Sequence, residues 1–291
     1  SDAAIEARVT RRILAGLDDE RAAALVAADD LDVLVDLAGH TGHNRLAIFA
    51  RRPARVAMTW LDYVSTTGMT TIDWRITDAV ADPPGVAERA NSERLMRLPV
   101  PAWCSTPPPG APEPGSPPLT RHAVPTFGSF NHAMKLTDAT LAMWRALFAL
   151  LPAARLVAVG IPQGSSRRRV TDALAIAPAR VEFVPRLDDA GYRAMFARVD
   201  VALDPLPFSG ATTTLDALWQ GVPVVTLPGP WTWSRSSASL LAGLGAEGWI
   251  ARDAGHYASI ACGLVGDGAR LADIRAGLRA RVAASSITDV A

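Results

Sequence analysis

Two stretches carry residue types whose spacing could do chemistry. The first is FGSFNHAMKLT, residues 127–137, where a short apolar run ends in Asn131 and His132, and Lys135 precedes a helical pattern. The second is DPLPFSGATTTLD, residues 204–216, where Gly210 would let backbone approach a ligand closely and Thr212, Thr213 and Thr214 open a helix. Hydroxyls and unpaired amides at a helix N-terminus suit a diphosphate. The dipole supplies up to about 2 kcal/mol in a partly buried site. A lysine adds a charge-assisted hydrogen bond of about 1.5–3 kcal/mol. The same spacing also suits an ordinary threonine cap and a solvated surface lysine, so spacing leaves both readings open.

Other motifs fail their context. Gly243, Gly245 and Gly248 match G-x-G-x-x-G, but they follow a helix, so they read as a helix stop and turn and not as a dinucleotide fingerprint. Asp30 and Asp32 have D-x-D spacing but precede a strand. His40 and His43 bracket the loop after that strand; either could act as a base, and two histidines three apart are weak evidence for zinc. No metal site is expected. His122 and His256 read as surface residues. No phosphate-loop and no G-x-S-x-G motif occurs. Of the eight tryptophans, Trp144 and Trp219 fit helix core faces, whereas Trp231 and Trp233 sit in a loop, PGPWTWSR, as ligand contacts or plain anchors.

These residues need elements to hold them. After residue 119, strand and helix alternate: TFGSF, a helix capped by Thr137 and closed by Pro152, RLVAVG, VEFVP, GYRAMFARV, VDVALDPLP, TTTLDALWQG, VPVVTLPG and three further helices. That order predicts a doubly wound α/β sheet. Before residue 98 the pattern is thinner. A helix runs from Ile5 through Val9, Ile13 and Leu14 to Gly16, and a second spans Asp18–Asp29. Three strands follow, over Asp32–Leu37, Ala54–Leu61 and Trp74–Thr77, the first reading as buried on both faces. Between Pro99 and Pro118 lie nine of the 22 prolines, which excludes helix and central strand. The expected domains are 1–98, a linker over 99–118, and 119–291.

Composition agrees with a folded chain. It has 291 residues, 49% hydrophobic and 20% charged, with 29 basic and 29 acidic side chains and no formal net charge. Neutrality argues against a nucleic-acid partner bound by bulk electrostatics. No apolar run is long enough to span a membrane, and two cysteines make no disulfide framework. A cytoplasmic setting is the default expectation.

In combination, the stretches DVLVDLAGHTGHNRLAIFARRPARVAMTWLDY, TTG, FGSFNHAMKLT, FVPRLDDAGYRAMFARVDVALDPLPFSGATTTLDALWQGVPVVTLPG and SRSSASLL resemble, in order, the catalytic region of the O-linked N-acetylglucosamine transferases, in particular bacterial SPINDLY-like members. The resemblance implies a GT-B fold of two Rossmann-like domains, here with the N-terminal one incomplete. It implies an inverting, metal-independent transfer of N-acetylglucosamine from UDP to a Ser or Thr of a protein acceptor, with no cofactor beyond the UDP-sugar donor. By position, Lys135 would neutralise the leaving diphosphate, Thr212 and Thr213 would hold the phosphates beside Gly210, and Asp216 would bond the ribose. His132 would lie beside the phosphates, Tyr192 would stack on uracil, the Leu187 backbone would meet the base, and His40 is the candidate base. The chain departs from the family at Asp62–Ser65, where a Gly-Tyr-Pro-Gly-type loop is usual, at Ala211, where a His is usual, and at Met134. The family's first strands and its helical repeats would lie upstream of Ser1. Other readings are a silent UDP-binding scaffold, or a transferase of the same fold with another sugar or acceptor.

Overall fold

The computed structural model describes residues 8–289, and the chain divides into two compact units. One comprises Ser1–Ile76 with Glu88–Met96; the other comprises Thr77–Ala87 with Arg97–Ala291.

In the smaller unit, α1 (Asp19–Ala28) starts where the Asp18 side chain accepts from the Arg21 amide, and it buries Ala22 and Ala23. Then come β1 (Val33–Asp36), α2 (Leu46–Phe49), β2 (Val56–Thr59), β3 (Trp74–Asp78) and β4 (Arg94–Leu98), the last two residues of β3 and of β4 falling within the bounds of the larger unit. The sheet order is β1-β2-β3-β4, with β1–β2 and β2–β3 parallel; Asp36 stands opposite Thr59, and Met58 opposite Trp74.

Three expectations change here. No helix runs through residues 8–18, and Ile5 lies outside the described residues. The Leu14 and Leu17 carbonyls instead accept from the Arg45 guanidinium, so this arm is fixed by a side chain and not by helical bonds. A fourth strand, β4, joins the three expected; its alternating Arg and apolar residues (RLMRL) carry too little hydrophobicity to stand out. Finally, β1 is the outermost strand of its sheet, and Val33 and Val35 are exposed, not buried on both faces.

The larger unit has no helix or strand over 99–118. This proline-rich stretch is tied down, with the Ser105 amide donating to the Ile287 carbonyl and the Arg275 guanidinium to that of Gly115. A short turn of helix, α3 (Leu119–His122), leads into β5 (Thr126–Ser129), α4 (Asp138–Leu150), β6 (Arg155–Val159), α5 (Ser165–Leu174), β7 (Val181–Val184), α6 (Asp189–Met195), β8 (Val201–Leu203), α7 (Thr212–Trp219), β9 (Val224–Val225), α8 (Ser236–Gly243), α9 (Ala254–Gly266) and α10 (Gly268–Ala283). The strands are all parallel, in the order β7-β6-β5-β8-β9.

Thr137 caps α4 by accepting from the Thr140 amide, and the spacing of Leu141, Trp144, Leu147 and Phe148 buries one face against the sheet core. Strands β5, β6 and β8 are nearly wholly enclosed, as the apolar runs require. Helix α5 was not foreseen: its SSRRRVTDAL sequence buries only Val170 and Leu174. Gly221 ends α7 with φ +76°, a conformation open to glycine.

Candidate functional site

In the larger unit, the loops at the carboxyl ends of β5 and β8 converge. After β5 the chain makes a single 3₁₀ turn, Ala133–Lys135, closed at its start by His132, whose Nδ1 accepts from the Met134 amide at 3.2 Å. The turn aims Lys135 at the β8 loop. Its Nζ donates to the Ser209 carbonyl at 2.9 Å and sits 4.3 Å from the centre of the Phe208 ring. Burial lowers the Lys135 pKa from the usual ammonium value, with Asp204 pulling the other way. His132 itself is exposed.

The β8 loop is built around Asp204, which is buried. One carboxylate oxygen accepts from the Gly210 amide at 2.7 Å and the other from the Thr226 hydroxyl at 2.6 Å. A side chain at Gly210 has no room: a Cβ there would lie 2.5 Å from the Thr213 hydroxyl and 2.7 Å from that of Thr214. The glycine is therefore required by the protein's own hydroxyls. The three threonines diverge. Thr214 is buried against the Ser237 hydroxyl, Thr213 donates to the Asn131 side-chain carbonyl at 3.2 Å, and Thr212 is exposed. Ala211 stands at the N-cap of α7 and offers no capping side chain.

One turn along α7, Asp216 accepts from the Tyr192 hydroxyl at 3.2 Å. Tyr192 is wedged edge-on against Phe130 and Phe196. Burial, with the Asp216 charge and hydrogen bond, pushes the phenol up; burial also raises Asp216, against the Tyr192 hydrogen bond. Leu187, half-buried, closes the β7 loop next to Asp188, the cap of α6. The structure thus links Lys135 through Ser209 and Gly210 to Asp204, Thr213 to Asn131, and Tyr192 to Asp216. Asn131 stood out in the sequence as a polar residue at the end of a strand, but nothing there gave Asp204, Phe208 or Ser209 a part in the site. One signal was available: Lys135 is the single lysine in 291 residues, every other basic side chain being arginine.

His40 belongs to the smaller unit. Its Nε2 lies 2.7 Å from the Thr67 carbonyl, and its ring meets Tyr63 edge-on at 5.3 Å. A carbonyl only accepts, so Nε2 carries the proton and Nδ1 is the basic nitrogen. The Thr66–Thr67 turn is fixed by Glu93, which accepts from both hydroxyls and from the Thr67 amide. Burial of Glu93 would raise its pKa, but the hydrogen bonds from Thr67 and Thr66 outweigh it and hold the group low. Among the described residues no three His, Cys, Asp or Glu are placed to hold a metal ion.

The model of glycosyl transferase family 41 matches residues 14–103 and 119–291. The chain belongs to that family. Relatives of this family 41 chain include the probable UDP-N-acetylglucosamine–peptide N-acetylglucosaminyltransferases SPINDLY of Petunia hybrida and Solanum lycopersicum. They are 37% and 36% identical over 96% of this chain, which spans 30% of their length. An O-GlcNAc transferase of Thermobaculum terrenum superposes with a TM-score of 0.87 at 37% identity, covering 96% of this chain and 53% of that one. A lipopolysaccharide glycosyltransferase, WaaG, shares the fold alone, at a TM-score of 0.52 and 13% identity. The architecture is that of the GT-B glycosyltransferases.

Proposed function

We propose that this family 41 chain binds UDP-N-acetylglucosamine in its larger unit and serves transfer of the sugar to Ser or Thr of a protein, with inversion at the anomeric carbon. The observation that supports this most is the placement of Lys135 Nζ, 2.9 Å from the Ser209 carbonyl, just ahead of an α7 N-terminus that no side chain caps. A diphosphate there would take the ammonium, the first-turn amides and the Thr212 and Thr213 hydroxyls. Asp216 would accept from the ribose, Tyr192 would cover the base, and the Leu187 backbone would meet its edge. His132 would flank the phosphates, and Gly210 would keep the loop close.

The acceptor hydroxyl would attack the anomeric carbon from the face opposite UDP, giving inversion in one displacement. Charge growing on the departing phosphate would be met by Lys135 and fixed N–H donors, so neither metal nor other cofactor would be required. His40, through Nδ1, would be the base. The names of the relatives support the donor and acceptor classes.

Calorimetric titration with UDP in EDTA tests the phosphate site. We expect metal-independent binding that weakens ten- to a hundredfold in Lys135→Ala, as loss of a charged hydrogen bond of about 1.5–3 kcal/mol requires. The single lysine adds an independent readout, since UDP should shield Lys135 from amine-selective labelling while the N-terminal amine still reacts. Equal UDP affinity in the variant would remove the assignment. UDP-N-acetylglucosamine tested against other UDP-sugars then settles the donor.

A further inference from the structure

The loop that follows β9 holds two tryptophans that neither the family pattern nor the nucleotide site accounts for. Trp231 and Trp233 stack with ring centres 5.6 Å apart and planes 18° from parallel. Trp231 is 47% exposed, so one face of its indole is covered by its neighbour while much of the ring is open to solvent. An anchoring tryptophan hides its ring; this one is displayed.

The display is braced. Ser234 donates through its amide and hydroxyl to the Trp231 carbonyl, and Thr232 donates to Asp82 at 2.6 Å. Arg235 bonds the carbonyls of Gly229 and Val80. The loop is also joined to the candidate phosphate site. Ser209 donates its amide to the Trp233 carbonyl at 3.0 Å while its own carbonyl accepts from Lys135.

Direction along α7 identifies what would lie there. Asp216 is four residues, about 6 Å, inside the helix from Thr212. With a ribose at Asp216 and phosphates at Thr212 and Thr213, the group beyond the phosphates lies past the helix N-terminus. That is where Ser209 meets the tryptophan loop. Resting on the nucleotide-sugar reading above, we infer that Trp231, backed by Trp233, is a platform for the pyranose ring of the donor, its indole face packing on the apolar C–H face of the sugar. The platform makes no contact with the nucleotide, so it discriminates sugar from no sugar.

The test compares UDP with UDP-N-acetylglucosamine by calorimetry on the wild-type chain, Trp231→Ala and Trp231→Phe. Aromatic packing of about 0.5–1.5 kcal/mol corresponds to a two- to tenfold change. The expected result is a two- to tenfold fall in the affinity of Trp231→Ala for UDP-N-acetylglucosamine relative to UDP. Its UDP affinity and unfolding temperature should stay unchanged, and Trp231→Phe should recover most of the ratio. An unchanged ratio, or an equal loss for both ligands, overturns the platform and leaves the phosphate site standing. Failure of the wild-type chain to bind UDP removes the nucleotide reading and the platform with it.

Discussion

Asp204 is enclosed on all sides, and burial raises its carboxyl to about 6, against the pull of Thr226, Gly210, Ser237 and Lys135. Released into the unfolded chain, the same group returns to 3.8. A carboxyl raised on folding favours the protonated folded state. Its contribution is complete below about pH 4, declines as pH rises through 6, and is gone at neutrality, a swing of about 3 kcal/mol. Asp204→Asn removes that titration while keeping an acceptor for the Gly210 amide. Urea unfolding of both proteins between pH 4 and 7 should show wild type gaining on the variant as pH falls; a constant difference would mean that Asp204 does not titrate in this range. The ionised form is also the one that faces Lys135, so the group that holds the phosphate loop at neutral pH does so at a cost in stability. Sequence spacing marked Lys135, Thr212 and Thr213, and the family resemblance added Asp216. Spacing could not reveal Asp204 as the loop's support, because a single aspartate after a strand has no pattern until Gly210 and Thr226 are brought to it.

Three arginines tie helix α10 to carbonyls elsewhere in the larger unit, and Arg275 is the buried one among them. Arg275 is almost fully enclosed and donates to the carbonyls of Gly115, Val199 and Phe196. Burial lowers its pKa to about 10, with Asp200 opposing. Cutting it to alanine strips the Gly115 and Val199 carbonyls of the guanidinium, leaves the Phe196 carbonyl only the Val199 amide, and opens a void beside Phe196 and Val199. The expected loss is about 3–5 kcal/mol, read as a fall in urea midpoint. Arg275→Met restores the volume but not the donors and should recover only part of it. The helix itself was legible in the Leu271–Val282 periodicity; its buried arginine was not, because a lone arginine in an arginine-rich helix reads as solvated. Elements with a strong apolar period, such as α4 and the β6 run, emerged from sequence with their caps. Those that use arginine carbon chains or side-chain clasps did not, as α5, β4 and the arm before α1 show.

Across the whole chain, burial is uneven. The larger unit encloses one continuous core running from Phe127 to Ile287. The smaller unit holds two small clusters, Leu46, Phe49, Ala57 and Ile72 in one and Ala22, Ala23 and Ile48 in the other. Its edge strand β1 leaves Val33 and Val35 in solvent, and Leu37, just past its end, is exposed as well. Local opening costs less where fewer apolar groups are enclosed. Amide hydrogen exchange followed by mass spectrometry should therefore find peptides from β1 and β2 exchanging well before those from β5, β6 and β8. Among the described residues no strand pairs with the outer edge of β1, and an open edge flanked by valines favours association with another strand. Val35→Lys should keep the exchange pattern of the larger unit and reduce concentration-dependent association in sedimentation. Equal protection across both sheets would mean that the small clusters are stabilised by contacts beyond their own packing, and the weaker sheet would then lose its status as the first part to open.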